Sequence, residues 1–254
     1  GLLFGSFLNV CISRLPDDYS VVIPRSHCPH CGTFIPWFDN IPLISFVILG
    51  GRCRACKATI SWRYPAVEAL TGLLCYLAVS TYGPTWAGLK WSVFSALLIA
   101  LIFTDFETRI LPDEFTKSGW ALGLMLAPIA PLPPGIVSLF LPTESAALIS
   151  LIDALVTSVL LPLGLYSMAS VYQRIRGVEG LGFGDIKMLG FLGAFLGFES
   201  ALLTLMLASL IGAVLGLTWI KLKKQDAATY ELPFGSFLGV AALIVTFSAQ
   251  LVLR

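Results

Sequence analysis

Long apolar runs separated by short charged turns make up most of the chain. Crossing a bilayer takes roughly 20 apolar residues in a helix. The stretches near 66–82, 86–105, 115–131, 146–171, 186–198, 200–220 and 233–253 therefore predict membrane helices. The opening GLLFGSFLNVCI reads as the C-terminal half of a further helix, giving about eight with the first truncated. Only residues 17–64 interrupt this pattern with a sizeable hydrophilic segment. The expected architecture is an all-α polytopic membrane protein with a partial first helix at 1–16, a small loop module at 17–64 and a membrane domain at 65–254.

Composition agrees. Hydrophobic residues are 57% of the 254 and charged residues 12%, about half the charge of a typical soluble domain. Mean hydropathy is +0.86. The positions of the charges matter more than their sum of +1. All of the 16 Lys and Arg residues except Lys90 and Arg254 fall on alternate loops: 13–65, 106–117, 172–187 and 221–231. The positive-inside rule then predicts both termini outside and those loops in the cytoplasm. Asp105, at the end of one helix, and Asp185, at the start of another, share that face. Lipid is the expected surrounding, and no nucleic-acid partner is expected.

The loop module contains Cys28-x2-Cys31 and, after 21 intervening residues, Cys53-x2-Cys56. Two such knuckles suit a four-thiolate zinc site, each giving two ligands from a tight turn. Gly32 and the Gly50-Gly51 pair offer the backbone freedom those turns need. A redox dithiol belongs to a strand-helix-strand fold absent here, and structural disulfides need an oxidising compartment. His30 reads as a bystander, Cys11 and Cys75 as small core residues. A structural metal would fold a loop too short to build its own core.

Most of the 15 acidic residues have plain readings. Asp17, Asp18, Asp39, Glu107, Glu144, Glu179, Asp226 and Glu231 lie in loops and read as solvated, and Glu199 lies in an outer turn. Asp113, ahead of a helix, reads equally as a cap or as catalytic. Glu68 and Asp153 fall inside or near helical spans, with their roles open. Asp105 and Asp185 differ because each stands at a helix end, at membrane depth, on one face. The plain reading of Asp185 is an N-cap. The chemical one is a carboxylate dyad, one member ionised to take a proton from water and the other protonated to donate to a carbonyl.

Several motifs in order resemble the bacterial type 4 prepilin peptidases, membrane aspartic proteases with a GxGD motif. FGSFLNVCISRLP at 4–16 resembles the opening motif of that family, and GGRCRACKATISWRYPAVEALTG its cysteine module and following helix. TDFETRILPDEFT resembles the first aspartate motif, GFGDIKMLGFLGAFLG the second, and LPFGSFLGVAAL the closing helix. The resemblance implies Asp105 and Asp185 as the catalytic pair and zinc on Cys28, Cys31, Cys53 and Cys56. It also implies leader cleavage of prepilins or pseudopilins at the cytoplasmic face of the bacterial inner membrane. N-methylation with S-adenosylmethionine would follow, and no donor-binding residue can be placed. A protease without methyl transfer and an ion-coupled transporter are the alternatives. The repeat of FGSFLNV as FGSFLGV, and the pairs Gly119–Gly123, Gly193–Gly197 and Gly212–Gly216, read as helix-packing residues.

Overall fold

A computed structural model describes residues 1–177, 181–223 and 232–252. Glu179, Asp226 and Glu231 lie outside them. Among the described residues there are helices and no strand. Their order is α1 (Leu2–Arg14), α2 (Ile44–Ile48), α3 (Arg63–Tyr82), α4 (Trp86–Thr108), α5 (Asp113–Leu126), α6 (Ala146–Arg176), α7 (Phe183–Lys223) and α8 (Phe234–Val252). Three segments are long and apolar enough to cross a membrane: Trp86–Thr108, Ala146–Arg176 and Phe183–Gly216. Phe234–Ser248 is apolar but shorter. The chain is an all-helical membrane protein. Against about eight predicted spans, α1 has 13 residues and α5 has 14, each about 20 Å of helix, below the hydrocarbon thickness of about 30 Å.

Two compact units divide the chain, Gly1–Ala100 and Leu101–Arg254. In the first, α1 packs on α3. The approach is close enough that a Cβ on Gly5 would lie 2.8 Å from the Glu68 Cα. Lys90, which falls within the helix predicted at 86–105, is 1% exposed inside α4, with its ammonium 5.3 Å from the Trp91 ring centroid.

In the second unit α7 packs against α5, α6 and α8. Met188, Leu189, Phe191, Leu192 and Phe195 are fully buried there. Small residues permit the contact: a Cβ on Gly193 would meet the Ser158 backbone at 2.9 Å, and one on Gly123 would meet Phe195 at 2.7 Å. The two helices predicted at 186–198 and 200–220 meet at one non-helical residue, Gly197 (φ 71, ψ −179), within α7. Asp153 of α6 serves that break. Its Oδ1 accepts from the Phe198 N–H at 3.1 Å and from the Thr157 hydroxyl at 2.9 Å. Gly197 is therefore more than a packing glycine, and Asp153 acquires a definite task. Glu199, just beyond, accepts a hydrogen bond from the Ile136 N–H.

Candidate active site and metal centre

The first aspartate motif leaves α4 through a left-handed residue. Arg109 has φ 60, and its N–H returns to the Asp105 carbonyl at 3.0 Å. Its guanidinium donates to the carbonyls of Asp105 and Phe106 at 3.1 and 2.8 Å, a cation at the negative end of the helix. Leu111 follows, 8% exposed. A Cβ on Gly184 would lie 3.3 Å from Leu111 Cδ1, and one on Gly235 only 2.9 Å from the same atom. This side chain is thus wedged between the first turns of α7 and α8, and glycine is what lets both helix ends reach it.

The two acids flank that wedge. Asp105, 5% exposed, faces α8. Its Oδ2 accepts from the Ser236 N–H at 2.6 Å and lies 2.7 Å from the Ser236 Oγ. The Ile102 carbonyl lies 3.0 Å from the same hydroxyl, a second acceptor within its reach. Asp185, half-buried, follows Gly184 directly. It stands in the first turn of α7, which starts at Phe183, and so is not the residue before the helix that an N-cap would be. A Cβ on Gly235 would lie 3.1 Å from the Asp105 Cγ, and Gly184, the neighbour of Asp185, reaches the same Leu111 side chain. Residues far apart in sequence are thereby brought to one place.

Asp113 caps nothing, because Pro112 holds the N-cap position of α5. Its carboxylate pairs with Lys117 at 2.6 Å and with Lys187, two residues beyond Asp185. This tie between α5 and α7 was missed in the sequence, as was Ser236. The only trace of Ser236 is its place in the repeated FGSF, which was read as packing. Glu68, also left open, accepts from the Leu43 N–H at 2.9 Å, where the backbone has φ 60.

In the N-terminal unit the four thiols form one cluster, with the Sγ atoms of Cys28, Cys31, Cys53 and Cys56 within 4.8 Å of one another. Cys28 and Cys56 lie 3.8 Å apart, the separation that four sulfurs at about 2.3 Å from a tetrahedral zinc adopt. The cluster could hold a metal ion, and His30 is not part of it. Both arms are built alike. Cys28 N–H bonds the Thr33 carbonyl at 3.0 Å and Gly32 N–H the Cys28 carbonyl at 2.9 Å. Cys53 N–H bonds the Ala58 carbonyl at 2.8 Å and Lys57 N–H the Cys53 carbonyl at 3.0 Å. The left-handed position is Gly32 in the first arm (φ 69) but Lys57 in the second (φ 61), so Gly50 and Gly51 belong to the turn after α2 instead.

Hydrogen bonds favour the thiolate at two of the four sulfurs, whereas Cys56 is raised to about 11 by burial and its contacts with the neighbouring thiols. The Thr33 hydroxyl lowers the Cys31 thiol to about 6, and the N–H groups of Cys56 and Ala55 lower that of Cys53. Asp39, read as solvated, makes a two-pronged pair with Arg54 at 2.6 and 2.7 Å. That guanidinium holds its carboxyl below the usual range and fastens residue 39 to the second arm.

Two family models match the chain. The bacterial peptidase A24 N-terminal domain matches residues 1–82, and the type IV leader peptidase family matches residues 92–217. A prepilin leader peptidase/N-methyltransferase of Aeromonas hydrophila is 37% identical over 267 residues, covering 96% of this chain and 86% of its own. The chain belongs to the type IV leader peptidase family. Members of the same name from Pseudomonas aeruginosa (34%, the same coverage) and Xanthomonas campestris pv. campestris (35%; 97% and 88%) are similar along the same length. No solved structure matches the chain. Within the family frame, the first match carries the cysteine arms and the second carries both Asp105 and Asp185.

Proposed function

We propose that this chain is a prepilin leader peptidase and N-methyltransferase of the bacterial inner membrane. It cuts the basic leader from type IV prepilins or pseudopilins at the cytoplasmic face, then methylates the new N-terminus from S-adenosylmethionine. The observation that carries the reading is the meeting of Asp105 and Asp185 around Leu111. A close carboxylate pair shares one proton, which supplies both halves of the chemistry. The ionised member takes a proton from water as the water oxygen bonds to the scissile carbonyl carbon. The protonated member gives its proton to the carbonyl oxygen. On collapse, a proton passes to the leaving nitrogen and the C–N bond breaks, giving a carboxyl on the leader and an amine on the mature protein.

Ser236 holds Asp105 in place through both of its donors. The first turns of α7 and α8 present helix N-termini to the same place, which favour negative charge on the carbonyl oxygen. A substrate with a basic leader and an apolar next segment would lie with that segment in lipid and its scissile bond at the boundary. Cys28, Cys31, Cys53 and Cys56 hold Zn2+ as a structural ion, and their spacing and hydrogen-bond donors suit it. Cleavage must come first, because the amine to be methylated exists only after it.

Purified protein should be given a prepilin with and without methyl donor, beside Asp105→Asn and Asp185→Asn. Each substitution is expected to reduce cleavage by about 10³-fold or more, since each removes a proton-transfer group. Near-normal cleavage by either variant would overturn the assignment.

A further inference from the structure

The connection from α5 to α6 lies at the end of the C-terminal unit remote from the aspartates. α5 starts at Asp113, tied to Lys187 near Asp185, and runs beside α7 until Gly123 meets Phe195, two residues before the break at Gly197. The chain that follows α5 covers that break: a Cβ on Gly197 would lie 3.2 Å from Leu132 Cδ1. Residues 127–142, APIAPLPPGIVSLFLP, carry no charge, and Ser138 is their one polar side chain. Its hydroxyl turns back to the Gly135 carbonyl at 2.5 Å.

Few backbone donors here need water. Five of these residues are prolines, which have no N–H to satisfy. The Ala127 and Ala130 N–H groups bond back to the Gly123 and Leu126 carbonyls at 2.9 Å. Leu132 N–H reaches the Ser150 hydroxyl at 3.2 Å, and Ile136 N–H the Glu199 carboxylate. The Ser138 and Leu141 N–H groups close the 3-10 turn Ile136–Phe140 on itself, at 3.0 and 3.2 Å. The large side chains, by contrast, face outward: Leu139 is 80% and Phe140 81% exposed. Polar groups met inside and apolar groups shown outside are what lipid imposes, because irregular backbone near hydrocarbon must find its hydrogen bonds within the protein. An apolar run too short to span suits the membrane interface. The surface also continues lipid-facing helices on both sides, with Met125 near the end of α5 and Leu148 in the first turn of α6 exposed.

We propose that residues 127–142 are an interfacial segment that lays Leu139 and Phe140 into the acyl–headgroup boundary of the leaflet opposite the aspartates, with phospholipid as its partner. Having no Lys or Arg, the segment binds by apolar burial and requires no anionic headgroup. Glu144, exposed beyond Pro142, marks where the chain returns to water. Held through Ser150 and Glu199, the segment closes the end of the unit over Gly197 and keeps headgroup water from the bond between Asp153 and the Phe198 N–H.

The test places a fluorine probe at one position at a time in the full chain, in nanodiscs of phosphatidylcholine with and without phosphatidylglycerol. Trifluoromethyl-phenylalanine replaces Phe140, Leu139 or, as the water-side reference, Glu144, and an unchanged Tm shows that each protein is folded. Fluorine relaxation is measured with oxygen, which partitions into lipid, and with a water-soluble gadolinium chelate. The ratio of the oxygen effect to the chelate effect is expected to be about threefold or more higher at 139 and 140 than at 144, with either lipid. Equal ratios at all three positions, or a higher ratio only where phosphatidylglycerol is present, would overturn the proposal. Probes at 139 and 140 shielded from both agents would overturn it too, since a second copy of the chain rather than lipid would then cover the segment.

Discussion

Asp105 Oδ2 rests between two donors of one residue, the N–H and the hydroxyl of Ser236. Each hydrogen bond to a charged group is worth about 1.5–3 kcal/mol, and only the hydroxyl can be removed by substitution. Ser236→Ala is therefore expected to lower kcat for prepilin cleavage about tenfold. KM should stay near its wild-type value, because the contacts of Ser236 are with Asp105 and the Ile102 carbonyl. Steady-state kinetics on a prepilin checks the split, and a change confined to KM would count against it. The acids themselves were legible in the sequence, since a lone carboxylate near hydrocarbon is costly and so conspicuous. Ser236 was not, because a serine in an apolar helix is ordinary until the residue opposite it is known. Asp113 was legible only as an acid before a helix. Its pairing with Lys187 depends on where α7 starts in space.

At the scale of elements, the break in α7 sets the length of the helix that carries Asp185. Gly197 has φ 71 with an extended ψ, a backbone region open almost only to glycine. A Cβ there would also collide with Asp153 Oδ2. Gly197→Ala is thus expected to destabilise the protein by about 1–3 kcal/mol, read as a lower Tm in detergent. Asp153→Ala should cost about 0.5–2 kcal/mol for the lost cap of Phe198. Asp153→Asn, which keeps an oxygen for that N–H, should cost less. Equal losses in Asn and Ala would show that the cap does not matter. Two apolar runs around Gly197 were readable as two helices. Their junction at a single residue was not, since it depends on a carboxylate from α6 reaching across.

For the molecule as a whole, the metal-binding module responds to acid in a definite order. Thiols must be deprotonated to hold a cation, so metal is retained at higher pH and released as pH falls. Cys31, lowered to about 6 by the Thr33 hydroxyl, is still a thiolate at neutral pH. Asp39 is held below the usual carboxylate range by Arg54, so its contribution to stability is present above the ordinary carboxylate pKa and lost only as pH falls through its own lower value. Acidification well below pH 6 is therefore expected to release metal while Asp39 is still charged. Metal content after dialysis at graded pH measures this. Thr33→Val, which deprives Cys31 of its donor, should move the release midpoint to higher pH. Removal of the metal by a chelator at neutral pH should expose the four thiols to a thiol reagent.

From the sequence alone came the helical membrane character, the paired cysteine arms and the two acids worth watching. Each is written in local terms: runs of apolar residues, two-residue gaps between thiols, a charge where hydrocarbon makes charge expensive. The tertiary structure decided which groups meet. Leu111 became a wedge between Gly184 and Gly235, Ser236 a holder for Asp105, and Asp153 a cap for Phe198. The physical reason is that hydrogen bonds and close packing act over a few ångströms between atoms, while the residues that own those atoms are separated by tens of positions along the chain.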